Sequence, residues 1–430
     1  MKGFAAKARK VLAKRDLPLP REAVIAHLAP NLARAEDYKR LAEGHGTPLI
    51  VFDEENLLRR AERFRSVFSA RIENFRPHFA VKSNNHPFVS RGLASIGYGL
   101  DVSSGVELSM ALETGCDSIL FTGPGKTLPE LALAVENHPR VTVLADSFGE
   151  LERLSTAAKS AGKTVTIGVR LTNDTRGLWR KFGIPSSRLG EFISLAEKLG
   201  NVEVRGIHFH TSWNMNPSAQ VNFIGRVGNT LKKLGKARAG MLEFLDIGGG
   251  YWPERGEWLN AGGTERGKLL SAAGIDCSNG NGPFLIPAAP VEEFAGAIGA
   301  ALEEHVFPLA RPQVYAEPGR WVCDDAMQVL LTVLDKKGGD LVIADGGTNI
   351  VGLDKFETDY CPVVNLSRPS RKTSKCLVTG SLCTPHDIWG FEVEGEPPEP
   401  GDLLLVTAVG AYTWSLRQEF IKPLAKVVKI

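Results

Sequence analysis

The chain has 430 residues, with 51 Lys plus Arg against 49 Asp plus Glu, 43% hydrophobic and 23% charged residues. That balance fits a globular protein of two or three domains, or one large barrel with a companion, and excludes disordered, fibrous and membrane-embedded classes. A net charge of +2 gives no electrostatic reason for nucleic acid or a membrane surface as main partner. Glycine is in excess, at 45 residues against a usual share of ~7%. The glycines are not repetitive, which points to many tight loops.

The first turns of the chain are basic (Lys2, Lys7, Arg9, Lys10, Lys14, Arg15) and lack the apolar core of a secretory signal. An exposed helix up to the Pro18–Pro20 break is expected there, in preference to a transit peptide. No run approaches ~18 continuous apolar residues, so no membrane-crossing helix is expected. The cysteines, Cys116, Cys277, Cys323, Cys361, Cys376 and Cys383, make no C-x-x-C pair and have no His at zinc-finger spacing. Reduced thiols in a cytoplasmic protein are the expectation.

From Thr47 onward short apolar runs alternate with helical patterns. Strands are expected at Leu49–Phe52, Phe79–Val81, Gly99–Val102, Ile119–Phe121, Val141–Ala145, Val165–Arg170, Val204–His208, Phe244–Ile247 and Gln313–Ala316. Amphipathic helices are expected at Glu55–Phe68, Gly105–Thr114, Pro129–Glu136, Phe148–Ala161, Leu189–Leu199 and Val291–Glu304. Strand and helix in alternation signal parallel βα units. With Leu49–Phe52 set aside, the strands from Phe79 to Ala316 match the number in a closed (β/α)8 TIM-type barrel. Lys82, Asp101, Arg170, His210, Gly248–Gly250 and Glu317 stand at their C-terminal ends, where such barrels carry chemistry. A doubly wound open sheet explains the alternation but not so many polar strand ends.

After Arg320, β-like runs (Val329–Leu334, Leu341–Ala344, Cys376–Thr379, Leu403–Val409) are separated by Gly, Pro and Asp. The expected architecture is α/β: a barrel over 54–318 and a mainly antiparallel β domain over 319–430, joined by a strand within residues 1–53. The Gly-, Asn- and Pro-rich segment 251–290 reads as an insertion in the barrel, either a lid over the catalytic face or a plain elaboration.

Singly, the polar residues say little. Lys82 reads first as a salt-bridged surface lysine, and Glu317-Pro-Gly-Arg320 as a turn with a local ion pair. The glycines of Asp246-Ile-Gly-Gly-Gly-Tyr251 could make a tight turn or wrap a phosphate with backbone N–H groups. His208 and His210 are two apart on a strand and so should face opposite sides, which argues against a paired metal site. Together, a phosphate cradle, a Lys, a flat His and an acid on one barrel rim suit pyridoxal 5'-phosphate.

The chain resembles the fold-type III pyridoxal-phosphate decarboxylases, the family of ornithine, arginine and diaminopimelate decarboxylases, whose two-domain architecture is alanine-racemase-like. The matching stretches run in order: Phe79-Ala-Val-Lys-Ser-Asn84, Leu100-Asp-Val-Ser-Ser-Gly-Val-Glu107, Phe121-Thr-Gly-Pro-Gly-Lys126, Lys181-Phe-Gly183 and Gly206-Ile-His-Phe-His210. Asp246-Ile-Gly-Gly-Gly250, Glu317-Pro-Gly-Arg320, Gly380-Ser-Leu-Cys-Thr-Pro-His-Asp387 and Gly410-Ala-Tyr-Thr413 complete them. The resemblance implies an amino-acid carboxy-lyase in which Lys82 holds the cofactor as a Schiff base. His210 would stack on the ring and Glu317 pair with the pyridine nitrogen. Gly248, Gly249, Gly250, Gly319, Arg320 and Tyr412 would surround the phosphate, with Asp101, Glu107 and Arg170 bracing the ring and His210. It also implies a homodimer with active sites at the interface. Cys383 would enter from the partner chain to help return a proton, and Lys181 would pair with Asp387 across that interface.

The sequence departs from the family in three places. Trp213 stands where a phosphate-binding Ser is usual, so Ser212 is the expected substitute. The residue after Cys383 is Thr384, not the acid that meets a distal ammonium, and Gly346-Gly-Thr-Asn-Ile-Val-Gly352 holds no Arg for a distal carboxylate. A neutral hydroxyl cannot offset a buried ammonium. Diaminopimelate and ornithine in the usual pose are therefore disfavoured. A larger or conjugated α-amino acid is expected, with Thr384 and Asp387 near it and the insertion, Trp213, Trp252 and Trp389 available to shape its pocket. A racemase on the same fold and an inactive cofactor-binding homologue are the alternatives. Glu317 disfavours the first and the persistence of Lys82, His210, Glu317 and Cys383 the second.

Overall fold

The computed structural model describes residues 2–172, 174, 176–275, 282–353 and 355–430, with side chains from residue 6 onward. The chain divides into two compact units, one of Leu57–Trp252 with Ala289–Val322, the other of Met1–Asn56, Pro253–Ala288 and Cys323–Ile430.

The first unit is the barrel. Its strands are β1 (Phe75–Ala80), β2 (Gly99–Val102), β3 (Ile119–Phe121), β4 (Val141–Ala145), β5 (Val165–Thr172), β6 (Val202–His208), β7 (Phe244–Asp246) and β8 (Gln313–Ala316). Each pairs in parallel with the next, and β8 pairs with β1, so the ring closes. The strands are mostly buried runs, as parallel strands covered on both faces must be. Part of the glycine excess is spent inside. The Phe244 ring fills space against Gly206 and Gly168, where any Cβ would collide with it.

Helices follow the strands as expected at Gly105–Glu113, Leu128–Glu136, Phe148–Ser160, Leu189–Leu199 and Val291–His305. The sequence reading does not anticipate the helices at Pro87–Ser95 and Ser218–Leu234. The latter carries Asn222, Gly225, Gly228, Asn229 and Thr230, all weak helix formers, and is held by a buried stripe of Gln220, Ile224, Val227 and Leu231.

The second unit is built on one mixed, mainly antiparallel sheet. Its order is Leu341–Ala344, Thr373–Thr379, Ile388–Glu394, Val363–Asn365, Leu403–Val406, Met327–Lys337, Leu49–Phe52 and Lys426–Lys429, and Leu341–Ala344 also pairs with Met327–Lys337. Leu49–Phe52 lies antiparallel to Met327–Lys337 and parallel to Lys426–Lys429. Helices Arg21–Ala33 and Ala35–His45 pack on this sheet, with Val24, Leu28 and Tyr38 sharing a core with Leu49, Val51, Leu330 and Leu405.

Pro253–Ala288, which the sequence reading attaches to the barrel, packs in the sheet unit instead. Trp258 is buried in that same core, and Asn260 donates to the carbonyls of Phe356 (2.7 Å) and Asp359 (3.1 Å). Glu257–Leu259 and Phe284–Ile286 form an antiparallel pair, and Leu19 N–H donates to Pro283 O at 2.8 Å. These contacts make the segment a brace for the sheet. Cys277 lies outside the described residues. No helix among the described residues is long and apolar enough to cross a membrane.

Candidate active site

Polar side chains converge at the C-terminal mouth of the barrel. Lys82 stands in the short 3-10 turn Val81–Ser83 that follows β1, and its Nζ lies 2.7 Å from Asp101 Oδ2 and 3.8 Å from Glu317 Oε2. Asp101, at the end of β2, is fully buried, and its Oδ1 accepts the Thr122 hydroxyl at 2.6 Å. Burial and the nearby Glu317 raise the Asp101 pKa, with Lys82 and Thr122 opposing them. For Glu317 the balance is reversed. Burial works to raise its pKa, but His208, Lys82 and His210 outweigh it, and the carboxyl is held well below the usual range.

Both histidines meet this carboxylate. His208 Nε2 lies 3.1 Å from Glu317 Oε1, close by distance but not aligned as a hydrogen bond, and His210 Nδ1 lies 3.1 Å from Oε2. The expectation that they face opposite sides is corrected. β6 ends at His208, so the strand alternation does not extend to residue 210. The Gly249 N–H also points at His210 Nδ1, at 3.2 Å. That nitrogen can accept from Gly249 or donate to Glu317, not both at once. Burial lowers the pKa of both rings, opposed by Glu317.

The glycine loop after β7 is fixed by close approach. A Cβ at 248, 249 or 250 would run into the carbonyls of Phe209, Glu317 or Thr211 respectively, and Gly248 and Gly250 have φ of 67° and 84°. Asp246 closes the loop by accepting Gly248 N–H at 2.9 Å; burial and Glu317 push its pKa well up. Gly319 packs against Ser83, and the Arg320 guanidinium lies over the Trp252 indole, 4.4 Å from the ring centroid.

A cavity of about 450 Å³ opens beside His210. Its walls come from the end of β5 (Arg170, Leu171, Thr172), the following segment (Asp174, Trp179, Phe182), the turn Thr211–Trp213, and one face of helix Ser218–Leu234. Ser212 and Arg170 both line it, and the Arg170 guanidinium lies 4.5 Å from the Phe182 ring centroid. Of the tryptophans expected to shape a pocket, Trp213 lines this one, 65% exposed and at φ 52°. Trp252 is buried under Arg320, and Trp389 is a core residue of the sheet unit that donates to Gly346 O at 2.8 Å. Sequence reasoning missed Trp179 and Arg226, and it gave no role to Phe182, Thr122 and Asp246, which lie in stretches it singled out.

Other expected residues have structural partners. Glu107 accepts Ser103 N–H at 2.7 Å, next to the Ser104 cap of helix Gly105–Glu113, so it serves the helix start. Lys126 is buried, with Nζ 2.7 Å from Glu150. In the sheet unit Cys383 is exposed, beside Thr384. Asp387 is only 1% exposed, its Oδ1 accepting Thr348 N–H and its Oδ2 Leu382 N–H, both at 2.7 Å. Asp387 thus braces the loop that carries Cys383. Tyr412 adopts φ 54° in the same unit.

The barrel site suits a planar heteroaromatic cation with an electrophilic carbonyl. Glu317, a fully buried carboxylate held ionised at the barrel mouth, is the anion that a ring N–H would meet, and Lys82 supplies the amine. The profile described as "Pyridoxal-dependent decarboxylase, pyridoxal binding domain" matches residues 54–324, and that of the "C-terminal sheet domain" matches 320–410. The diaminopimelate decarboxylase of Methanothermobacter thermautotrophicus is 27% identical over 399 residues, covering 89% of this chain and 86% of its own. The L-glutamyl-[BtrI acyl-carrier protein] decarboxylase of Niallia circulans is 26% identical, with 89% and 87% covered. Diaminopimelate decarboxylase from M. jannaschii in complex with L-lysine shares the fold at a TM-score of 0.75 and 24% identity, covering 91% of this chain and 88% of that one.

Proposed function

The chain belongs to the pyridoxal-dependent decarboxylase family, a PLP-dependent carboxy-lyase, and from that premise we propose that it decarboxylates an α-amino acid whose distal end carries no free ammonium. The observation that carries this reading is Thr384. It is a neutral side chain beside the exposed Cys383, where a distal cation would need an acid. The 346–352 stretch without arginine argues in the same direction against a free distal carboxylate. One relative is named for an amino acid joined to a carrier protein, which fits a capped distal end.

Pyridoxal phosphate, when bound, supplies the electron sink for the bond to the departing carboxylate. The chain's part is to place and hold it. Lys82 Nζ is the attachment amine, kept by Asp101 at 2.7 Å. Glu317, held ionised by His208, Lys82 and His210, would meet the ring nitrogen and keep its proton in place. His210 would lie against the ring, and the backbone of Gly248–Gly250 with Arg320 would receive the phosphate. Ser212 and Tyr412 are the further phosphate contacts in this reading. After CO2 leaves, a proton returns to the substrate carbon from Lys82 Nζ or from Cys383 Sγ of a second copy in a homodimer. The exposure of Cys383 supports that second role.

The test is CO2 release by purified holoenzyme from free, side-chain-conjugated and carrier-linked amino acids. Turnover of a capped amino acid with little from meso-diaminopimelate, L-lysine or L-ornithine is expected. Efficient turnover of any of those three contradicts the substrate class.

A further inference from the structure

We propose that Asp246 carries a proton and donates a hydrogen bond to Glu317, so that one buried side chain ties the glycine loop to the carboxylate that meets the cofactor's ring nitrogen. The inference rests on the decarboxylase reading and deepens it, by assigning a positioning residue to the same site.

The strand register puts Asp246 where it can do this. It is the last residue of β7, in register with His208 on β6 and with Tyr315 on β8. Side chains alternate along a strand, so Asp246 shares the face from which Phe244 fills the barrel interior. It points inward and has no exposed surface. Its Oδ1 accepts Gly248 N–H at 2.9 Å, while the carbonyl of the same glycine accepts Glu317 N–H, also at 2.9 Å. Gly248 is thus clasped from both sides, and the two acids meet across it.

The second oxygen decides the chemistry. Asp246 Oδ2 is buried with no donor to accept from, and the side chain within its hydrogen-bonding reach is the Glu317 carboxyl. Two ionised carboxylates do not share a dry site; one of them keeps a proton and becomes the donor. Their neighbours settle which. Glu317 has a ring nitrogen of His208 and one of His210 at 3.1 Å each, and Lys82 Nζ at 3.8 Å. The charged side chains that act on Asp246 are Glu317 and Asp101, both acids, and no cation pairs with it among the described residues. A buried carboxylate without a cation is costly, so the proton stays on Asp246. Burial and Glu317 push its pKa well up, with Gly248 N–H opposing them. Burial also raises the pKa of Tyr251 and Tyr315, the phenols nearby, so neither supplies a competing charge. The resulting O–H to carboxylate bond belongs to the stronger class of hydrogen bonds. It makes the grip on the ring nitrogen and the shape of the glycine loop depend on each other.

The test combines the infrared spectrum of the apoprotein with holoenzyme loaded with pyridoxal phosphate carrying nitrogen-15 in its ring. Asp246→Asn keeps an acceptor for Gly248 and a donor for Glu317, whereas Asp246→Leu keeps the volume and neither group. The infrared difference between the parent and Asp246→Asn should contain the carbonyl stretch of a protonated carboxylic acid. The ring-nitrogen resonance should lie in the protonated range in the parent and in Asp246→Asn, and move towards the unprotonated position in Asp246→Leu. Cofactor Kd should rise about tenfold or more in Asp246→Leu and stay within about threefold in Asp246→Asn. A carboxylate band in place of the acid band overturns the proposal. So does a ring-nitrogen signal that Asp246→Leu leaves at the parent position, or an Asp246→Asn protein that behaves as Asp246→Leu is expected to. If Asp246→Leu does not fold, the infrared band and the Asp246→Asn resonance decide alone. A parent protein that binds no cofactor would instead count against the decarboxylase reading, and the infrared band of the apoprotein would still report the state of Asp246.

Discussion

The Lys82 ammonium sits 2.7 Å from a carboxylate oxygen of Asp101, a residue with no exposed surface. The other Asp101 oxygen takes the Thr122 hydroxyl, so the acid links the attachment lysine to the wall behind it. Asp101→Ala leaves both partners facing a cavity and should cost about 1–3 kcal/mol of stability. Asp101→Asn keeps the shape and should cost less than the alanine change. Urea unfolding of the two variants checks the order, and a larger loss for Asn than for Ala would contradict it.

The glycine cradle makes a sharper demand. A methyl group at 249 meets the Glu317 carbonyl, which is backbone and cannot swing aside, and sits 3.3 Å from His210 Cε1. Gly249→Ala should therefore lower stability by about 1–3 kcal/mol and weaken cofactor retention on dialysis. Gly296, in helix Val291–His305, has nothing within 4 Å of its added Cβ, so Gly296→Ala should hold or raise the melting temperature.

Acid should act on the barrel through His78. Burial is the main cause that pushes its pKa down from 6.5 to about 3, with Arg76 adding to it. The folded chain thus keeps the ring neutral while the unfolded chain takes a proton below about 6.5. Stability is lost as pH falls through that window, at up to about 1.4 kcal/mol per pH unit, and the contribution vanishes above it. His78→Gln should flatten this slope in chemical denaturation between about pH 6.5 and pH 4. An unchanged slope would show that other groups set the acid sensitivity.

Specificity offers another handle. Thr384→Asp places an acid next to Cys383, and kcat/KM for L-ornithine should rise tenfold or more, about 1.4 kcal/mol in transition-state terms. No gain would mean that the distal end of the substrate does not reach residue 384.

Much of this was legible in the sequence because buried parallel strands are short apolar runs with polar residues at one end. Gly99–Val102, Ile119–Phe121 and Val141–Ala145 have the expected bounds. Lys82, Asp101, His210 and Glu317 do come together. What stayed hidden depends on where regular structure stops. His208 and His210 meet one carboxylate because β6 ends between them, and pattern alone gives no sign of that end. Trp389 reads as a pocket residue by its type, yet a hydrogen bond to Gly346 O seats it in the sheet core. The wall holding Arg226 lies on a helix whose glycines and asparagines mask its periodicity, and Asp246 acts through burial, which spacing does not report.

The most direct measurement is CO2 release and visible cofactor absorbance in one preparation of Lys82→Ala beside the parent protein. Lys82 is 34% exposed, so the variant should fold and unfold in one cooperative thermal transition. The account predicts loss of the parent's absorption band, together with a fall in turnover of the capped amino acid by at least about 100-fold. Parent-like CO2 release from the folded variant would contradict it.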